Sequence, residues 1–458
     1  MFITIHPSDN VAVAFTDYEN IPAGHKIALR DIQAGEQIIK YGYPIGIATA
    51  PIKKDEHVHV HNLKTALSGI EEYEYKPDIT EAEKSTGTFM GYRRKDGKAG
   101  IRNEIWIINT VGCVNKIAEK IAANFENVHT FVHPYGCSQL GDDHLYTQNI
   151  LKNMVQHPNA AGVLVLGLGC ENNHIDEFKR ALGSWDDERV KFLNTQDVAD
   201  DVAEGIKIVQ GLIEYTQNFK REPISIGELV IGLKCGGSDG LSGITANPLV
   251  GSLSDAVIAK GGSCLLTEVP EMFGAETILM NRCINEEVFN KAVALINDFK
   301  NYFIRHGQEI YENPSPGNKD GGISTLEEKS LGCTQKGGTS PVVDVLGYGE
   351  TIKHPGLNLL QGPGNDIVAV TNLTAAGAHM VLFTTGRGTP VGGPVPTIKI
   401  SSNTPLTQNK SNWIDYNAVD ATPEDFLSYI ISVASGEKTK NELNDYREIA
   451  IFKDGVTL

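Results

Sequence analysis

The spacing of apolar and polar positions divides the chain into three stretches. Up to about residue 65, short alternating or apolar runs (Phe2 to Ile5, Val11 to Phe15, Gln37 to Tyr41, Val58 to Val60) are separated by Pro, Gly and Asp turns, which predicts a small β domain. From Ser68 to about Gly87 acids are many, large aliphatics are few and no period holds, which predicts a linker. From Gly91 onward apolar strands alternate with amphipathic stretches, with strands expected at Ile105-Trp-Ile-Ile, Thr130-Phe-Val-His and Gly162-Val-Leu-Val-Leu. A second such series begins at Glu228-Leu-Val-Ile-Gly-Leu. It continues through Ser263-Cys-Leu-Leu-Thr, Ile367-Val-Ala-Val and His379-Met-Val-Leu-Phe, with a helix near Glu287 to Phe303. Strands separated by helical crossovers favour parallel pairing, because a parallel return needs a dozen or more residues. The expected fold class is multidomain α/β with a small N-terminal all-β domain. The expected limits are 1–67 for the β domain, 68–90 for the linker, 91–225 for a first α/β unit and 226–458 for a second.

Composition narrows the functions. The 458 residues are 41% hydrophobic, enough for a large core, and acids outnumber bases 57 to 40 for a net charge of -17. A polyanion needs clustered Lys and Arg, so nucleic acid is excluded as a partner, whereas a single cation can still hold one small carboxylate. The opening MFITIHPSDNVAVAF lacks a basic n-region followed by an apolar stretch, and no segment approaches the ~18 apolar residues of a membrane span. A soluble, cytoplasmic protein without a membrane partner is expected. Seven cysteines, an odd number without a secretion signal, read as free thiols or metal ligands rather than a disulfide framework.

In an open parallel sheet ligands bind outside the carboxyl ends of the strands. Four cysteines are expected there: Cys113, Cys137, Cys170 and Cys235, the first three each preceded by glycine. If their strands share a sheet, those three thiols face a common edge and can ligate iron or an iron-sulfur cluster; the alternative is that each is a small apolar residue suited to a tight turn. In His57-Val-His-Val-His61 the period of two sets the imidazoles on one side of a strand, so His59 and His61, with His25 in a nearby Gly-His-Lys turn, are candidate ligands for a first-row divalent metal. The same alternation also suits a polar outer face. Three glycine-rich segments, beginning at Cys235, Asn313 and Thr384, look built for close backbone approach to a ligand. Their Lys234, Ser238, Asp239, Ser242, Thr245, Asn247, Asn318, Lys319, Arg387 and Thr389 are candidates to bind hydroxyls and a carboxylate. None has the spacing of a dinucleotide or phosphate loop.

The runs Tyr135-Gly-Cys-Ser-Gln-Leu-Gly-Asp-Asp-His144, Gly167-Leu-Gly-Cys-Glu-Asn-Asn173, Gly236-Gly-Ser-Asp-Gly-Leu-Ser-Gly-Ile-Thr-Ala-Asn-Pro248 and Leu266-Thr-Glu-Val-Pro-Glu-Met-Phe-Gly-Ala-Glu276 resemble the altronate and galactarate dehydratase family, a likeness that extends end to end. The resemblance implies an N-terminal SAF-type β-clip domain and a two-part catalytic region whose last part is Rossmann-like. It also implies conversion of D-altronate to 2-dehydro-3-deoxy-D-gluconate with Fe2+, or Mn2+, as cofactor. The tight turn between Phe15 and Gly24 makes the first domain shorter than the family pattern. Removing the C2 proton of a sugar acid pushes charge onto its carboxylate, so a cation and a positioned base are required; His133, His144, Glu171 and Lys319 are the candidates by type and loop position. Asp142, Asp143, Glu268 and Glu271 are secondary candidates. The competing readings are a family lyase acting on galactarate or a sulfonated hydroxy acid, and a sugar-acid binding protein that does not turn its ligand over. Homo-oligomerisation is compatible with all of them.

Overall fold

The computed structural model describes residues 1–80 and 83–458. Two small antiparallel sheets make the N-terminal domain: Phe2–Ile3, Val11–Ala14, Lys26–Ala28 and His57–Val58 in one, Gln37–Lys40, Tyr43–Ala48 and Leu63–Lys64 in the other. They enclose Val11, Ala28, Ile38, Ile45, Val58 and Leu63, and this core is completed by Ala275 and Leu331 from the far end of the chain. No regular element forms between Leu63–Lys64 and Thr88–Arg93 among the described residues; positions 81 and 82 of the expected linker lie outside them.

The next unit is a four-stranded parallel sheet in the order Val128–Thr130, Glu104–Asn109, Ala160–Gly167, Val190–Asn194. The last unit is a seven-stranded parallel sheet in the order Val342–Leu346, Leu357–Leu360, Ser263–Leu266, Val230–Cys235, Met380–Thr385, Thr397–Ser401, Tyr416–Asn417. The chain leaves Val230–Cys235 toward one edge and returns beside it at Met380, so the direction of winding reverses there, the place where open α/β sheets bind ligands. A separate antiparallel trio, Arg221–Ser225, Thr88–Arg93 and Ala99–Gly100, connects the two units.

Strands of the seven-stranded sheet are apolar on both faces, as parallel strands covered by helices must be. Ile231 and Leu233 belong to a core with Leu253, Val257, Leu295, Phe426 and Ile430. Val381 and Phe383 face a second core that they share with Trp106, Met154 and Val163 of the four-stranded unit, through the helices Gly141–Val155 and Asp366–Ala375. One continuous apolar layer therefore joins the two sheets.

Two sequence expectations change. Ile367-Val-Ala-Val is not a strand but lies in the helix Asp366–Ala375, started by the Asn365 side chain accepting from Val368 N–H; the helix is buried on nearly every side, so its period is erased. The strand expected at Thr130 ends at that residue, and Phe131 to His133 already belong to the following loop. No helix among the described residues is long and apolar enough to cross a membrane.

Candidate functional site

The carboxyl end of the switch strand Val230–Cys235 holds a buried layer of charge. Lys234 Nζ pairs with Glu268, and with Asp366 at 2.9 Å; Lys329 Nζ lies 2.9 Å from Glu271; Lys336 Nζ lies 3.5 Å from Glu268. Glu268 sits in left-handed backbone, φ 71°, a conformation that costs a non-glycine residue and persists only where its surroundings hold it. Burial pushes Glu271 up, yet Lys329, Lys234 and Lys336 outweigh it and hold the carboxyl below its ordinary range. Glu268 goes the other way, raised by burial and by the charge of Glu271.

Two thiols complete this layer. Cys235 Sγ is 3.0 Å from Glu271 Oε2 and 3.2 Å from Cys333 Sγ, which is itself 3.2 Å from Glu271 Oε2. These three groups can hold a metal ion, since one donor atom of each lies within 4.8 Å of the others. The layer is closed, however. Its carboxylates already have lysine partners, and the adjoining space is about 10 Å³, roughly one water, bounded by Tyr41, Ser238, Ser242, Lys329 and Cys333.

Above this layer the N-terminal domain docks on the segment 313–333. A side chain on Gly240 would collide with the Gly24 carbonyl, so bare backbone on both sides permits the approach. The dock is held by ions taken fully out of water: Lys26 Nζ and Lys40 Nζ each lie 2.8 Å from a different oxygen of Glu328, and Lys26 Nζ also donates to Gly322 O at 2.7 Å. Burial alone would raise Glu328, but the two lysines bring its pKa down to about 2.

At the margin of this dock stand the histidines. His25 Nδ1 is 3.0 Å from His57 Nε2 and His25 Nε2 is 3.2 Å from Asp320 O, so both His25 nitrogens are engaged; His59 Nδ1 is 3.0 Å from Ser324 Oγ. The His57 and His59 rings stack with centroids 5.6 Å apart, and His61 is 5.4 Å from His57. Burial, then neighbouring positive groups, lower His57 to about 4 and His59 to about 3, and burial lowers His25. The His57 and His59 imidazoles are therefore neutral near pH 7, with one ring nitrogen on each left without a partner among the described residues.

The same margin carries Asn318, whose Nδ2 donates to Ser238 O at 2.8 Å, then Lys319, and Arg387, against which Gly317 lies. Lys319 and Arg387 engage only backbone groups among the described residues: their N–H groups donate to Ser315 O and Gly237 O, and Lys319 O accepts from Gly322 N. Several other candidates spend their bonds on the loops. Asp239 Oδ1 accepts from Leu241 N, Ser242 N, Ser242 Oγ and Ser402 Oγ; Thr245 Oγ1 donates to Ser402 O; Asn247 bridges Gly332 O and Thr384 Oγ1; the Thr389 hydroxyl accepts from Val391 N. Lys234 lies in the closed layer, and the Ser238 hydroxyl is buried without a partner among the described residues.

The remaining candidates gather elsewhere, at the carboxyl edge of the four-stranded sheet. Cys113, Cys137 and Cys170 are exposed on three loops there, whereas Cys235 is buried in the closed layer and does not join them. His133 Nε2 meets Asn109 O at 2.8 Å and its Nδ1 accepts from Tyr135 N at 3.2 Å, so both nitrogens hold loop backbone. Glu171 accepts from Thr110 Oγ1 at 2.6 Å and from the N–H groups of Leu168 and Gly169, which hold its carboxyl low despite burial. His144 lies on the helix Gly141–Val155 with a buried Nδ1 that has no partner among the described residues. Asp143 of the same helix is buried and accepts from Asp454 N and Gly455 N, tying down the C-terminal segment.

Lys26, Lys40, Glu328, Lys329, Lys336 and Cys333 escaped the sequence reading. No sequence signal marked them: the helix Leu326–Cys333 contains Glu327, Glu328 and Lys329, as a solvated helix would, and only the structure shows it buried at every position. A cleft of about 770 Å³ lies at the opposite ends of the strands around Glu104 and His129, and its Arg102 and Arg447 are already paired with Glu442 and Glu104.

Three family models match successive parts of the chain: the altronate/galactarate dehydratase SAF domain over 17–66, the D-galactarate dehydratase/altronate hydrolase second domain over 91–217, and the D-galactarate/altronate dehydratase C-terminal domain over 226–457. The chain is 55% identical to altronate dehydratase of Bacillus subtilis, covering 100% of this chain and 99% of that one. It is 53% identical to altronate dehydratase of Escherichia coli, with 100% of both covered. Galactarate dehydratase (L-threo-forming) of Escherichia coli is 31% identical, with 98% of this chain and 96% of that one covered.

Proposed function

The chain belongs to the altronate/galactarate dehydratase family, and from that we propose that it is a hydro-lyase converting D-altronate to 2-dehydro-3-deoxy-D-gluconate at the margin of the docked N-terminal domain. One observation carries the choice of place. In a chain of net charge -17, Lys319 and Arg387 stand there as cations without partners among the described residues, beside imidazoles kept neutral. A free guanidinium is well suited to take the substrate carboxylate through paired N–H donors.

The donor chemistry fits a divalent cation at the same margin. Imidazoles with pKa values of about 4 and about 3 are poor proton acceptors at pH 7, but they present a lone pair with almost no competition from protons, which is what a metal ligand requires. His57, His59 and His61 would hold the ion, with His25 orienting His57 through the 3.0 Å contact. Imidazole donors favour Fe2+ over Mn2+. When bound, the ion would draw off charge that the carboxylate gains as the C2 proton leaves.

Arg387 then holds the substrate carboxylate, and Lys319 moves the proton. Once its ammonium has given a proton to solvent, Lys319 Nζ takes the C2 proton as the C2–H electron pair shifts toward the carboxylate, and the ammonium so formed gives that proton to the C3 oxygen as the C3–O bond breaks. Water leaves, and the enol becomes the 2-keto-3-deoxy acid. Ser238, Asn318 and Lys329 meet beneath this margin, and their network fixes the loop that carries Lys319. The free thiols suit a reducing compartment, so we place the enzyme in the cytoplasm. Turnover of altronate, galactarate and a sulfonated hydroxy acid, read as 2-keto acid formed or sulfite released, tests the proposal. Altronate is expected to be the preferred substrate; turnover of galactarate alone, or of none of the three in the iron-supplied enzyme, would overturn it.

A further inference from the structure

We propose that Cys113, Cys137 and Cys170 together hold one iron-sulfur cluster at the carboxyl edge of the four-stranded sheet, a site separate from the margin that carries Lys319. The strands Val128–Thr130, Glu104–Asn109 and Ala160–Gly167 are immediate neighbours in the sheet, and each sends one of the three cysteines into the loop at its carboxyl end. Neighbouring strands lie about 4.8 Å apart, so the three loops start within the span of one small cluster.

The loops are tied to each other rather than left to solvent. Gly112 N donates to Tyr135 O at 2.8 Å, Asn173 N to Gly136 O at 3.0 Å, and Ser138 N to Asn172 Oδ1 at 2.8 Å. A side chain on Gly136, at φ 99°, would collide with Thr110 O, so glycine before Cys137 is what lets that loop lie against the one leading to Cys113. From the fourth strand, Gln196 Nε2 reaches Cys170 Sγ at 3.5 Å.

Two further observations point to a ligand. Of seven free thiols these three alone are exposed, while Cys235, Cys264, Cys283 and Cys333 are buried, the usual state of an inert cysteine. Buried polar atoms without partners among the described residues also collect here: Asn109 Oδ1, Gln139 Nε2, His144 Nδ1, Thr147 Oγ1 and Asn194 Oδ1 all lie on the ends of these strands, the loops after them or the helix that follows. Interiors rarely leave such groups unmatched, and the sulfides of a cluster would accept from the donors among them, Gln139 Nε2 and Thr147 Oγ1. Each thiol loses its proton on binding, and three thiolates leave one iron of a cubane cluster open to an oxygen ligand.

The full chain, purified without oxygen and supplied with Fe3+, sulfide and a thiol that reduces part of that iron to Fe2+, is expected to retain about three to four irons with as many sulfides per chain, and to show sulfur-to-iron charge-transfer absorption. Cys113→Ser, Cys137→Ser and Cys170→Ser should each lose the sulfide while their far-ultraviolet circular dichroism stays as in the wild type. A second readout needs no variant: alkylation of the folded, cluster-free chain should modify three cysteines, and alkylation of the loaded chain none of those three. Iron bound without sulfide in the wild type, equal sulfide in the triple serine variant, or alkylation unchanged by loading would each overturn the proposal. Because none of these readings involves altronate, they fail or succeed independently of the reaction proposed for the Lys319 margin.

Discussion

The two parallel sheets present carboxyl edges of opposite character. Beyond the seven-stranded sheet, nearly every buried charge has found its opposite: Glu328 takes two lysines, Glu271 takes Lys329, and Glu268 takes Lys234. Beyond the four-stranded sheet, thiols stand exposed and Asn109, Gln139, His144, Thr147 and Asn194 each keep a buried polar atom unmatched among the described residues, whereas at the other edge the unmatched atoms are the Ser238 and Ser330 hydroxyls and one Glu327 oxygen. A saturated edge mainly holds structure and can do chemistry only at its margin, where Lys319, Arg387 and the imidazoles stay free. An unsaturated edge is shaped for something that the polypeptide does not itself supply. Paired and unpaired polar groups thus separate scaffold from site more sharply than residue type does.

The largest expected effect separates the free cations from the paired ones. Lys319→Met should lower kcat on altronate by about a thousandfold, the middle of the range for a positioned acid-base group, while thermal unfolding barely shifts. Next, Glu328→Ala should destabilise the chain by about 3–5 kcal/mol, measured by denaturant unfolding, because Lys26 and Lys40 would be left charged and buried without their partner. Third, Arg387→Ala should raise KM for altronate about tenfold to a hundredfold with a smaller change in kcat, the mark of a lost charged hydrogen bond to the carboxylate. A fall in kcat with KM unchanged would move Arg387 out of the carboxylate site.

The smallest effect is graded with pH. Glu328 has its folded pKa near 2, below the ordinary 4.5, so its contribution is complete above pH 4.5 and is lost as pH falls from there toward 2. His57 and His59, at about 4 and about 3 against an ordinary 6.5, act in the same direction over a higher window, because the unfolded chain takes up their protons first. Unfolding measured from pH 7 downward should therefore show stability starting to fall below 6.5 and falling further below 4.5. A stability that is flat from pH 7 to 4 would mean that the dock contributes little to holding the fold.

How much of this could be read from the sequence follows from the range of each interaction. Local period placed the strands at Ile105, Gly162, Val230 and Met380, and the alternation of His57, His59 and His61 survives as a stacked His57–His59 pair with His61 tilted against His57, although the strand there is only His57–Val58. The gathering of Cys113, Cys137 and Cys170 on one edge was readable because strand ends in a parallel sheet share an edge by topology. Ile367 to Val370 misled because a helix buried all round has lost the polar face that marks its period. The lysines and Glu328 were hidden for a different reason. Lys26 looks like any exposed strand residue until a partner 302 positions later removes both from water.

The most direct measurement is altronate turnover by His57→Gln/His59→Gln beside the wild type, both demetallated and then supplied with Fe2+ without oxygen, with bound metal counted in each. The wild type should regain activity as it binds iron, while the double variant, folded as judged by circular dichroism, should bind less iron and stay at least about a hundredfold slower. Full-speed turnover by the double variant would contradict the placement of the reaction at the margin of the docked domain.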